Sequence, residues 1–253
     1  MTEPNRPADA EQSVSVDPPA RGGRETAPTL VEDLLLLLFQ PNGGLQQGTG
    51  SIAGENILFY VLGGAVLADL GLGGHVRTIP GALGSVSLEA VAENPPTDEL
   101  ARAAWDYVDR PRGVQGVLAS IGPTLRTPVL DRVIARGDIR RGTRKALGLF
   151  ETSVLEDGGT DRRARLVADV RAVLVDGAEP TPRVAALAAL LYGSGTLPQF
   201  DREIPWTSEV IARAEKLKKG EWSAGAAAEA VARTLTATIV NNVIIAATVL
   251  PRT

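Results

Sequence analysis

Two stretches of this chain are strongly apolar, one with a run of five leucines and one apolar on nearly every side of a helix, and such a segment has two homes, a protein core or a bilayer. The first is LVEDLLLLLF, residues 30–39, and the second is NILFYVLGGAVLADLGL, residues 56–72. A bilayer crossing takes about 20 consecutive apolar residues. The first stretch falls short of that and runs into the turn residues PNGG, while the second follows Glu55 and carries Asp69 near its end. Both therefore read as core helices, with Thr29 capping the first and Glu32 at capping-box spacing. Two buried helices need a shell of other elements, and 253 residues at 44% hydrophobic content supply enough chain for it.

The shell is predicted to be helical too. NPPTDELARAAWDYVDR starts a helix capped by Thr97 or Asp98, with Leu100, Ala103, Ala104 and Val108 on one face. GVQGVLASI is a weaker helix, and LRTPVLDRVIARG has Pro128 in its first turn and Gly137 at its C-terminal cap. Further helices follow at TDRRARLVADVRAVLVDG, at TPRVAALAALLYGSG behind the cap Thr181, and at TSEVIARAEKLKKG before the stop Gly220. Residues 223–250 are long and increasingly apolar, but Asn241 and Asn242 interrupt them, so a core helix is expected there and not a membrane anchor.

Strand signals are few. HVRTIPGALGSVSL is a short hairpin broken by Pro80, Gly81 and Gly84, a second hairpin begins near Asp138, and QQGTGSIAGEN reads as a flexible loop. The fold class is thus mostly α, a single globular multi-helix domain over residues 28–253 with one or two small β-hairpins. Residues 1–27 are rich in Pro, Gly and charge and cannot repay the entropy of ordering, so a disordered tail is expected. The polar, acidic start MTEPNRPADAEQSVSV lacks the pattern of a secretory signal, which suggests a cytoplasmic location.

Catalytic constellations are hard to find. Without cysteine there is no thiolate nucleophile or zinc-thiolate site, and the lone His75 has no evident partner to orient it. The glycine-rich stretch lacks the Lys-Ser/Thr of a phosphate-binding loop. The acidic pairs Glu32/Asp33 and Glu156/Asp157 are sequence neighbours that point apart or lie in loops. No enzyme activity, catalytic residue, metal site or cofactor is expected.

Charge carries the clearest functional signal. Between residues 126 and 145 stand seven cations, Arg126, Arg132, Arg136, Arg140, Arg141, Arg144 and Lys145, against the two acids Asp131 and Asp138, in a chain whose net charge is -4. Directly after them come Leu147, Leu149 and Phe150, which at a surface would need a core contact or a partner. A basic hairpin with an apolar tip suits an anionic membrane. Four hairpin cations at ~1 kcal/mol each give roughly 4 kcal/mol, about millimolar affinity. Each inserted large apolar side chain would add roughly 1.5–3 kcal/mol. The same residues also fit a winged-helix nucleic-acid-binding unit, with the arginines near a groove and the hairpin on phosphates. A third possibility is a dimerisation module whose apolar tip packs on a second subunit.

The motifs TLVEDLLLLL, GGAVLADLGLGGHV, VLDRVIARGDI and RVAALAALLYGSGTL occur in an order and spacing that spans most of the chain after Thr29. In these features the chain resembles the Golgi phosphoprotein 3-like family, whose eukaryotic members are peripheral membrane proteins that bind phosphatidylinositol 4-phosphate. The resemblance implies a mostly helical domain with a hairpin, here Ile139 to Leu155, whose apolar tip enters the bilayer and can mediate dimerisation. Of the four positions that form the family's head-group pocket, only Arg126 has its counterpart; Gly54, Gly63 and Pro123 occupy the others. The implied partners are an anionic, phosphoinositide-like lipid and a second copy of the chain, with no client protein indicated.

Overall fold

Helix α1, Leu30–Leu38, lies at the centre of the molecule, and none of its nine residues is more than 5% exposed. It packs against α2, Leu58–Leu72, α5, Arg126–Ala135, α6, Arg162–Leu174, and α7, Pro182–Gly193. Outside α2 lie α3, Glu99–Tyr107, and α4, Val114–Ile121, and against α7 lies α8, Ser208–Lys218. Residues 236–244 are also helical, and Ile239, Val240 and Val243 within them are buried. The computed structural model describes residues 27–44, 48–81, 85–146, 150–222 and 236–244. The tail expected at 1–27, apart from Ala27, lies outside the described residues, as do Leu147, Leu149 and most of the last predicted helix.

The caps at Thr29, Asp98 and Thr181 follow the sequence signals. Thr29 accepts the Glu32 N–H, Asp98 accepts from Leu100 and Ala101, Thr181 from Val184, and Thr207 from Val210. The capping box is only half made, because the Glu32 carboxylate turns away from Thr29 to meet arginines. Gly137 ends α5 at φ +78°, in the left-handed region that Cβ-bearing residues avoid, and donates its N–H to the Ile134 carbonyl at 2.9 Å. Gly122, in a 3₁₀ turn, lies so close to the Phe59 carbonyl that a side chain there would collide with the backbone of α2.

Strands are short, antiparallel and peripheral. β1, Phe39–Gln40, pairs with β2, Ser51–Ile52. β3, Val76–Pro80, pairs with β4, Val86–Ala90, and β4 pairs in turn with β5, Arg112–Gly113, so the first predicted hairpin grows into three strands. Two-residue strands leave no periodic trace, which is why β1, β2 and β5 were invisible in the sequence. The supposed flexible loop contains β2, and the Gly50 N–H next to it donates to the Leu155 carbonyl at 2.6 Å. β6, Ile139–Ala146, and β7, Phe150–Asp157, form the second hairpin. Glu156 and Asp157 therefore sit in a strand, not a loop, where neighbours point to opposite faces, and they lie opposite Arg140 and Ile139.

Candidate functional site

The hairpin is rooted at its base and open along its shaft. Ile139 is fully buried, the Gly158 N–H donates to the Asp138 carbonyl at 3.0 Å, and Gly50 holds Leu155. Further out, Thr143, Arg144, Lys145, Glu151, Thr152 and Ser153 are all exposed. Successive strand residues point to opposite faces, so both faces of the ribbon meet solvent here. Eight residues per strand make an arm of about 25 Å. The side chain of Phe150, like all of Leu147 and Leu149, is outside what the structure describes.

The seven cations divide into three groups. Arg126 opens α5 and grips Glu55 through two bonds, Nη2 to Oε1 at 2.6 Å and Nε to Oε2 at 3.0 Å, with both side chains about half exposed. The bonded Glu55 raises the Arg126 pKa against a smaller opposing effect of burial. Arg132 and Arg136, one helical turn apart, both turn inward to Glu32: Arg136 Nε lies 2.7 Å from Oε2, and Arg132 Nη1 lies 3.6 Å from Oε1 and 2.5 Å from Asp98 Oδ2. On the ribbon, Arg140 donates to the Asp157 carbonyl, Arg141 pairs with Asp131 of α5 at 2.6 Å, and Arg144 pairs with Glu156 at 2.8 Å. Lys145 is exposed opposite Glu151.

β7 thus returns acid to the hairpin. Its three carboxylates, Glu151, Glu156 and Asp157, reduce the four charges of β6 to a net +1. Counting cations as far as residue 145 hid this, because cross-strand partners stand apart in sequence.

Beneath the hairpin lies a network that the cation count did not reveal. Glu32 and Asp33, 1% and 5% exposed, occupy the first turn of α1, where the helix dipole favours negative charge. Asp33 meets Arg162 and Arg183, each at 2.5 Å; Arg162 also reaches Asp138 at 2.5 Å, and Arg183 approaches Asp69 at 3.6 Å. Thr160 donates to the other oxygen of Asp138. Burial opposes the charge on Arg162, yet Asp33 and Asp138 outweigh it and raise the pKa above the ordinary arginine value. Burial pushes the Asp69 carboxyl up, partly offset by the Leu30 N–H and Arg183. The arrangement ties α1 to α5, α6, α7 and the root of β6. Its carboxylates are spent on arginines, and among the described residues no group of three His, Cys, Asp or Glu is placed to hold a metal. The only sequence hint was two acids inside an otherwise apolar helix.

Three of the positions that the family resemblance assigns to a head-group pocket lie around the turn before α5, whereas Gly54 faces Thr196. Gly63 faces Gly122, Pro123 follows in the same turn, and Arg126 pairs with Glu55, the neighbour of Gly54. What fills this neighbourhood is a neutralised ion pair. A winged-helix reading would need Arg132 and Arg136 available on α5, and both are engaged on Glu32.

Among the described residues no helix is long and apolar enough to cross a membrane. No curated protein matches the chain significantly. The family model described as Golgi phosphoprotein 3 (GPP34) matches residues 30–234, from the first residue of α1 to beyond the end of α8. With most of its length matched in this way, the chain belongs to the Golgi phosphoprotein 3 family.

Proposed function

We propose that this protein is a cytoplasmic peripheral membrane protein that docks reversibly on anionic phospholipid through the β6–β7 hairpin, without chemistry of its own. One observation carries this reading: the ribbon is exposed on both faces and ends in the apolar sequence ALGLF. A two-stranded ribbon is marginal in water by itself, so an arm of this length is better explained by a surface it meets than by the core it leaves. Family membership supports the same conclusion.

The balance of forces differs from the one the cation count implied. A net charge of +1 on the hairpin leaves about 1 kcal/mol of attraction, where four unopposed cations would supply about 4 kcal/mol. Insertion at roughly 1.5–3 kcal/mol per large side chain then becomes the dominant contribution, through Leu147, Leu149 and Phe150. Exposed ion pairs such as Arg141–Asp131 and Arg144–Glu156 are worth only about 0–1 kcal/mol. Their arginines can exchange a carboxylate for a lipid phosphate with little loss. Arg126, matched by Glu55, is a weak basis for strict selection of phosphatidylinositol 4-phosphate, so the head-group is proposed to be anionic in general. A second copy of the chain would present two tips and raise avidity without new contacts.

Sedimentation with neutral vesicles, and with vesicles carrying phosphatidylserine or phosphatidylinositol 4-phosphate, tests the proposal over a salt series. Binding to both anionic sets is expected, with loss in the Leu147→Asp/Leu149→Asp double variant and a smaller reduction in Arg140→Glu/Arg141→Glu. Retention of duplex DNA in place of vesicles would overturn it. So would a dimer abolished by the leucine changes in a chain that never binds lipid.

A further inference from the structure

A concavity of about 510 Å³ lies at the end of α7, between the turn before α2, the chain after α7, and α8. This is within the ~300–1,000 Å³ usual for small-molecule pockets. Trp206 stands at its edge, 40% exposed and the one exposed large hydrophobic residue among those described. Its indole stacks on Tyr192, with ring centroids 6.5 Å apart and planes 29° from parallel. The Tyr192 hydroxyl donates to Glu215 Oε1 at 2.6 Å, and Lys218 Nζ lies 2.7 Å from Glu215 Oε2 and 5.8 Å from the Tyr192 ring centre. Around this group, among the described residues, the amides of Asn56 and Gln199 and the indole N–H of Trp206 make no hydrogen bond within the chain.

Charge limits what such a site can take. Its ionised groups, Glu215 and Lys218, neutralise each other, so a phosphate or carboxylate gains no net attraction. The place over the Tyr192 ring that would suit a cation is already occupied by the Lys218 ammonium. What remains unspent is an open aromatic face, two planar amides that both donate and accept, and an indole N–H. A ring with apolar C–H faces and equatorial hydroxyls suits the aromatic face and the amides together. The hydroxyls reach the amides and the Glu215–Lys218 pair while the C–H face lies on the indole.

We infer that the Tyr192–Trp206 pocket binds a neutral saccharide, stacked on Trp206 and hydrogen-bonded by Asn56, Gln199 and the Glu215–Lys218 pair. The chemistry is the same for a free sugar and for the sugar of a glycolipid head-group. It is independent of the hairpin, so vesicle docking and sugar binding can fail separately.

Indole N–H resonances of the full chain, with the Trp206 signal assigned through Trp206→Phe, provide the test. The probes are maltose, lactose and mannobiose in solution, and vesicles of neutral lipid containing a diglucosyl diacylglycerol. A saturable shift of the Trp206 signal with any free disaccharide supports the inference, and a shift with the glycolipid vesicles alone supports it with a lipid source. Gln199→Ala and Asn56→Ala should each weaken binding about fivefold, the equivalent of one ordinary hydrogen bond. No shift with any of the four probes overturns the inference. So does a shift with tetramethylammonium but none with sugars, or a sugar response unaltered in both amide variants.

Discussion

Arginine–carboxylate pairs appear in this molecule in two settings. At the start of α1, Glu32 and Asp33 are buried and meet Arg136 and Arg162, whose side chains are 16% and 12% exposed. On the ribbon, Arg141 and Asp131 form an equally short pair with more than half of each side chain in solvent. Distance does not separate the two; environment does. A buried pair that loses one partner strands a charge where water cannot reach it, whereas an exposed partner is simply rehydrated. The buried set therefore holds the helices in place and cannot be released to a ligand. The exposed set contributes little to stability, and its charges remain within reach of solvent.

The sharpest way to break this contrast is Asp33→Ala, which leaves Arg162 and Arg183 without their shared carboxylate. Arg162 keeps Asp138 and the 37% exposed Arg183 keeps Asp69 at 3.6 Å, so a loss at the lower end of the range for a broken buried pair, about 3 kcal/mol, is expected in urea unfolding, with a fall in melting temperature on the order of 10 °C. A loss below about 1 kcal/mol would place the network with the ribbon pairs. Asp98→Ala should come next, at about 1–2 kcal/mol. It removes the α3 cap and one partner of Arg132, which keeps Glu32 at 3.6 Å. A double-mutant cycle on Arg144 and Glu156 should give a coupling of about 0.2–1 kcal/mol that shrinks with added salt. Salt-independent coupling would show that the ribbon pairs are less solvated than their exposure implies.

The smallest effect should appear in alkali. Burial, then the bond to Glu215, pushes the Tyr192 hydroxyl from 10.0 to about 12. The folded state keeps this proton longer than the unfolded chain does, so the associated stability is complete below pH 10 and is lost as pH rises through about 12. Tyr192→Phe should remove that decline. The difference in phenolate absorbance between the unaltered chain and Tyr192→Phe, followed against pH, checks it, and a Tyr192 transition near 10 would contradict it.

The helical fold was legible because its signals are local. Thr29, Asp98 and Thr181 cap where their sequence context implied, and Gly137 ends α5. The hairpin was expected after the Gly137 stop, with the bounds Ile139 to Leu155 implied by the family resemblance, and β7 runs two residues beyond that end. Much less of the site could be read. Arg132 and Arg136 looked equivalent to Arg140 and Arg141, since nothing within the run shows which of them will face Glu32, about 100 residues earlier. Glu55, 71 residues before Arg126, was equally hidden as its partner. Trp206 and Glu215 gave no sign that they would converge on Tyr192.

The sequence alone determined that α1 and α2 form a core, because stretches this apolar and too short to cross a bilayer must be buried in the protein. It also set the caps, the mostly helical class and the family pattern, all carried by neighbours within a few positions. Tertiary structure decided which cations are structural and which remain at the surface, and that β7 cancels most of the charge on β6. The physical reason is one of range. Helix periodicity and capping act over one or two turns, whereas an electrostatic interaction depends on distance and on the surrounding medium, and the completed fold sets both.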